Sequence, residues 1–131
     1  MALKLVLKAG ERIAINGAVI TNGDRRSTLM VENLARVLRE SDIIQPDEVT
    51  TPASHIYFAV MMLYLDPIEN AQYATEYEHR LIEFTSVVTD PAALTDCVRL
   101  TASVSNGDYY NALNICRRLM EFEETRLNHV A

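Results

Sequence analysis

The sequence predicts an α+β protein: a small N-terminal antiparallel β-sheet or barrel lobe of about five short strands, followed by a four-helix C-terminal cluster. Three observations predict it. Gly10, Gly17 and Gly23, three of the four glycines, fall within the first 23 residues, whereas all four prolines stand at position 46 or later. Leu3, Leu5 and Leu7 alternate with Lys4, Val6 and Lys8, the two-residue period of a half-buried strand. After residue 50, polar residues stand directly before proline at Thr51-Pro52, Asp66-Pro67 and Asp90-Pro91, and a polar cap before proline opens a helix. The boundary between these two patterns divides the chain into residues 1–45 and 46–131.

The elements follow in order. The first strand places its leucines on one face and Lys4 and Lys8 on the other, and Ala9-Gly10 turns the chain. Residues 12–15 and 18–21 flank Asn16-Gly17, the strongest short-range hairpin signal, because both turn residues accept positive φ. Asn22-Gly23 makes the next corner into a strand at 27–32, and Asn33 precedes a fifth at 35–40. A sheet this small needs a second surface, from another copy or from the helical half. Helices are predicted at about 52–65, 67–88, 91–105 and 108–128. Asp66 with Glu69 three residues on resembles a capping box. The buried seams are predicted as Ile56/Ala59/Val60/Leu63, Tyr73/Tyr77/Leu81/Phe84/Val88, Leu94/Cys97/Val98/Thr101 and Leu113/Cys116/Leu119/Met120. Met61-Met62 sits in a nearly all-apolar helix that reads as the central one. Asn106-Gly107-Asp108 joins the last two helices.

Composition narrows the class. With 49% apolar and 23% charged residues the chain is globular rather than disordered. The longest apolar run, Ile56 to Leu65, is too short to span a bilayer, and no secretory leader is visible, so a cytoplasmic location is expected. Cys97 and Cys116 have no C-x-x-C spacing and read as reduced core thiols. The net charge of −6 conceals an asymmetry. Residues 1–40 carry seven basic groups against four acids, net +3, whereas residues 41–131 carry five against fourteen, net −9. A basic lobe on an acidic chain points to a polyanionic partner for that lobe.

Catalytic chemistry is not legible. His55, His79 and His129 are far apart and none has metal-ligand spacing, so no metal and no cofactor is expected. Glu76, Glu78, His79 and Glu83 read as a solvated helix face, and no glycine-rich phosphate loop precedes a helix. Residues 1–40 contain no Phe, Tyr or Trp, so aromatic stacking platforms are missing there and base edges would be met by main chain and arginine.

Over essentially its whole length the chain resembles the FlbT-type flagellum biosynthesis repressor family. The carrying stretches are Leu3-Lys4-Leu5, Ile15-Asn16-Gly17-Ala18, Asn22-Gly23-Asp24-Arg25-Arg26, Thr51-Pro52-Ala53, Ile56-Tyr57-Phe58, Met61-Met62 and Tyr64-Leu65-Asp66-Pro67. The resemblance implies post-transcriptional control of flagellin synthesis through the 5′ leader of flagellin mRNA, with either sign. Leu5 to Ile20, with Gly10-Glu11 in its turn, is similar to the opening strands of the carbon-storage-regulator family of mRNA-binding dimers, and so is Val37-Leu38-Arg39-Glu40-Ser41-Asp42-Ile43, near the end of that lobe. That second resemblance implies a homodimer in which first and last strands of opposite chains lie side by side and bind RNA through a basic pair and an Arg-Glu. Lys8 falls on the second basic place and Arg39-Glu40 on the Arg-Glu, while Leu7 stands where the first basic residue is expected.

The expected RNA-facing set is therefore Lys8, Arg39 and Glu40, with Lys4, Arg36, Arg25 and Arg26 nearby. Arg25 and Arg26 read as secondary phosphate contacts or as partners of Asp24. The acidic helical lobe is expected to engage a protein, flagellin or a flagellin-regulatory partner, through Tyr73, Tyr77, Tyr109 and Tyr110 among others. The alternative is that such protein binding is the whole function, with no RNA contact.

Overall fold

The structure, a computed structural model, describes residues 2–130, with side chains as far as Arg126. The chain forms two compact units, Met1–Ile44 and Gln45–Ala131.

The first unit is all β. Strands β1 (Leu3–Leu7), β2 (Arg12–Ile15), β3 (Ala18–Thr21), β4 (Ser27–Val31) and β5 (Val37–Arg39) form two antiparallel sheets, β1-β4 and β3-β2-β5. The β2–β3 hairpin turns through Asn16 at φ 51° and Gly17 at φ 85°, the left-handed pair that matches strand twist. Asn16 also anchors the last strand: its Oδ1 accepts from the Arg36 N–H at 2.9 Å, and its own N–H donates to the Arg36 carbonyl at 2.8 Å. Leu5, Leu7 and Ile13 are buried, and Ile15, Leu29, Val31 and Val37 pack around them. The two sheets thus supply each other's missing surface. Each sheet keeps its outer strand edges unpaired among the described residues.

Strand β5 is shorter than the predicted 35–40. It begins after the Asn16 clasp on Arg36, and Glu40–Asp42 closes into a 3₁₀ turn in which the Ile43 N–H donates to the Glu40 carbonyl at 3.1 Å.

The second unit contains α1 (Pro52–Leu65), α2 (Tyr73–Val87), α3 (Pro91–Ser105) and α4 (Tyr109–Val130). Thr51 caps α1 in a reciprocal box with Ser54, and Asp90 caps α3 by accepting from the Ala93 N–H at 3.0 Å. Helix α1 is the central one. It packs on α2 and α4, and Ala53, Ile56, Ala59 and Val60 are fully buried. Gly107, at φ 74°, ends α3, and Asp108 accepts from the Asn111 N–H at 3.2 Å to start α4.

Three expectations are corrected. Asp66 does not open α2; it ends α1 and holds a turn through bonds from the Ile68 and Glu69 N–H groups, both at 3.1 Å. Asn70 then donates to the Met62 carbonyl at 2.8 Å, which stops residues 67–72 from continuing as α-helix, so α2 starts at Tyr73. The buried face of α3 is Ala93/Asp96/Cys97/Leu100/Ser103, rotated from the predicted seam, and Val98 is 71% exposed. Asp96 is admitted to that face because Arg118 of α4 meets its carboxylate at 3.2 Å. Tyr77 is buried and offers no contact surface, whereas Tyr110, which leans on Tyr64, keeps 49% of its surface exposed.

Candidate nucleic-acid interface

Three basic residues of the first unit, Lys8, Arg26 and Arg39, meet at one end of the β1–β4 sheet. Register explains why. The last pair is Leu7↔Ser27, with Val6↔Thr28 before it. Lys8 directly follows β1 and Arg26 directly precedes β4, so both stand at this end of the pair, beside the face that carries Lys4, Val6, Thr28 and Met30, and both line one hollow. Like charges gathered at one place repel, and an anion between them relieves the repulsion.

The corner that enforces this apposition is built by Asn22. Its Nδ2 donates to the carbonyls of Lys8 at 2.8 Å and Arg25 at 2.9 Å, with Leu7 at 3.3 Å. The main chain adds Gly10 N–H to the Gly23 carbonyl and Asn22 N–H to the Glu11 carbonyl, both at 2.8 Å. Gly23 itself is not at positive φ. The two Asn-Gly-Asp corners therefore work differently: at 106–108 the glycine conformation makes the turn, at 22–24 the asparagine amide does.

Beside this corner lies an open hollow of about 530 Å³, lined by Lys8, Gly10, Glu11, Arg26, Arg39 and Glu40 among others. Arg39 arrives from β5. Its Nη2 donates to the Val6 carbonyl at 2.8 Å and to Glu11 Oε2 at 3.3 Å, tying the two sheets together. Glu11 Oε1 accepts from the Lys8 N–H at 2.8 Å. That backbone bond, seconded by the Arg39 guanidinium, holds the Glu11 carboxyl below its ordinary value of 4.5 although burial opposes it. Neither the Lys8 ammonium nor the Arg26 guanidinium has a hydrogen bond or ion pair among the described residues, and both are exposed.

The hollow thus gathers Lys8, Arg26, Arg39 and Glu40. Lys4 is exposed on the same sheet face but lies across from Met30, outside the hollow. Arg25 is exposed beyond the lining, and Arg36 is held through its backbone by Asn16. No ion pair joins Asp24 to Arg25 or Arg26 among the described residues. Sequence reasoning ranked Arg39 above Arg26 and passed over Glu11 and Asn22. The Lys8-x-x-Glu11 spacing across a glycine turn was the available signal, whereas the Glu11–Arg39 pair, which joins the turn before β2 to β5, left none.

The model of the family described as flagellar protein FlbT matches residues 3–127. The chain belongs to the FlbT family. The flagellum biosynthesis repressor protein FlbT of Caulobacter vibrioides (strain ATCC 19089 / CIP 103742 / CB 15) is 52% identical over 131 residues, covering 100% of this chain and 93% of the relative. A probable flagellum biosynthesis repressor protein FlbT of Caulobacter sp. (strain K31) is 50% identical, with 100% of each chain covered. Another, from Bradyrhizobium diazoefficiens, is 37% identical over 126 residues, 95% of this chain and 84% of the relative. No solved structure matches.

Cys97 and Cys116 are buried, and burial pushes both thiols up, away from nucleophilic use. Among the described residues no group of His, Cys, Asp and Glu could hold a metal, and no helix is long and apolar enough to cross a membrane. His129 lies outside the residues whose side chains are described.

Proposed function

We propose that this chain is a cytoplasmic, non-enzymatic post-transcriptional regulator of flagellar biosynthesis that binds the 5′ leader of flagellin mRNA through the hollow of its β unit. The observation that carries this reading is the apposition of two unpaired cations, Lys8 and Arg26, beside Arg39 in a protein of net charge −6. Family membership supplies the biological setting, since the relatives are named flagellum biosynthesis repressors. Lys8 and Arg26 grip phosphates, Arg39 and Glu40 face the backbone or base edges, and the absence of aromatic rings leaves base reading to main chain and arginine. Lys4, Arg25 and Arg36 extend the positive rim. Unpaired strand edges suit pairing with a second copy, so the active form is a homodimer.

Fluorescence anisotropy with labelled leader RNA tests this. Lys8→Glu and Arg26→Glu each reduce affinity about tenfold or more at low salt, and each flattens the salt dependence by about 0.7 in log–log slope for every phosphate no longer gripped. Binding indifferent to both substitutions and to salt refutes it.

A second reading is supported by a separate surface. Within the helical unit, Pro52, Phe84, Val87, Val88 and Phe122 line a hollow of about 430 Å³ rimmed by Asp90, Glu123 and Arg126. A hollow of that kind suits an apolar side chain of a protein partner, flagellin or a flagellin-regulatory protein. Stoichiometric co-purification of such a protein from nuclease-treated lysate, abolished by Val87→Glu, supports that reading; recovery unchanged by the substitution counts against it.

A further inference from the structure

We propose that Glu11 acts as a built-in phosphate substitute that holds Arg39 in the RNA-free protein and gives it up when an RNA phosphate enters the hollow. This rests on the reading of the hollow as an RNA site. Arg39 is held unequally by its two partners. Its bond to the Val6 carbonyl, at 2.8 Å, is short and fixes the guanidinium at the hollow. Its bond to Glu11 Oε2, at 3.3 Å, is longer than the roughly 2.7–2.9 Å of a strong charge-assisted pair. The remaining guanidinium donors make no hydrogen bond among the described residues, and the Arg39 side chain keeps 40% of its exposure. Glu11 is the reverse case: it is only 15% exposed, and its other oxygen is fixed by the Lys8 N–H at 2.8 Å.

The carboxylate therefore offsets the Arg39 charge without leaving its own seat, while Val6 keeps the guanidinium aimed. Around them stand Lys8 and Arg26, unpaired, and Glu40. A phosphodiester brought in by Lys8 and Arg26 meets Arg39 with its geometry set and only the weaker of its two bonds to exchange. Affinity is held down by this competition. The same pairing keeps the free lobe from exposing three uncompensated cations.

The test is Glu11→Gln, which preserves size and the acceptor for the Lys8 N–H but removes the charge. Glu32→Gln is the control: it removes the same charge from an exposed site six residues along the chain from Arg26, about 20 Å by strand rise and beyond the screening length of about 10 Å at 0.1 M salt. Leader-RNA titrations over a salt series are expected to show Glu11→Gln binding about fivefold tighter at 0.1 M salt, with the log–log slope steeper by about 0.7, the value for one single-strand phosphate. Glu32→Gln is expected to change affinity less than twofold. The gain must disappear in Glu11→Gln/Arg39→Met, which a purely structural role for Glu11 does not require. Equal behaviour of the two glutamine variants, or weaker binding by Glu11→Gln, overturns the proposal while leaving the RNA reading intact. Absence of RNA binding by the unmodified protein overturns both. In case the variant folds poorly, carbon-13 NMR of the unmodified protein gives a second readout: leader RNA is expected to move the Glu11 carboxyl resonance, and a stationary resonance at saturation overturns the proposal.

Discussion

Replacing Asn22 by alanine removes the amide that builds the basic corner and leaves every charge in place. The Nδ2 group has two hydrogens and three carbonyls within reach, so two good bonds form at once, to Lys8 at 2.8 Å and Arg25 at 2.9 Å, with Leu7 at 3.3 Å sharing one. Each net bond contributes about 1 kcal/mol, and both principal carbonyls are accessible enough to bind water once the amide is gone. The expected loss is therefore about 1–2 kcal/mol, localised to the end of β1. Amide hydrogen exchange along β1, read against urea, measures it. Asn22→Asp is expected to lose the same amount, since a carboxylate cannot donate to those carbonyls. Leader-RNA affinity is expected to fall as well, because the Lys8–Arg26 apposition depends on the corner. Unchanged exchange protection together with unchanged affinity refutes the assignment of Asn22 as the builder of the site.

Other expectations follow from single observations. Leu113 is fully buried on α4, so Leu113→Ala is expected to cost about 2–5 kcal/mol in chemical denaturation of the helical unit. Thr51→Ala removes the acceptor of the Ser54 N–H at 3.2 Å and is expected to cost about 1 kcal/mol in the same assay. The Glu11 carboxyl titrates below its ordinary 4.5 in the folded state. Its contribution to stability is thus complete above pH about 4.5 and lost as pH falls through the folded value. The stability difference between the unmodified protein and Glu11→Gln is expected to shrink over that acidic range, and a pH-independent difference contradicts this. Cys97 and Cys116, with thiols pushed up by burial, are expected to resist a thiol reagent in the native state and to react together once urea unfolds the helices.

Much of the fold could be read from local chemistry. Asn16-Gly17 marks its own turn because only residues tolerant of positive φ make it, and Thr51-Pro52 and Asp90-Pro91 mark helix starts because cap and proline act within one turn of backbone. The misreadings arise where a distant partner overrides the local signal. Asp66-Pro67 carries a helix-start pattern, yet Asn70 reaching back to Met62 turns it into a stop. Asp96 enters the buried face of α3 only because Arg118 on α4 neutralises it, and Val98 is displaced to solvent by that rotation. The candidate site divides in the same way. The basic character of Lys8, Arg26 and Arg39 is visible in the chain, whereas their meeting at one hollow depends on the β1–β4 pairing, on the β2–β5 pairing and on Glu11 reaching Arg39 from the turn before β2.

The central claim is that RNA meets this protein at the end of the β1–β4 sheet. Ultraviolet crosslinking in the native cell, followed by sequencing of the bound RNA and mass spectrometry of the crosslinked peptides, tests it most directly. Flagellin leader RNA is expected to be joined to peptides containing Lys8, Arg26 or Arg39. Crosslinks confined to residues 45–131, or an RNA population without flagellin leaders, contradict it.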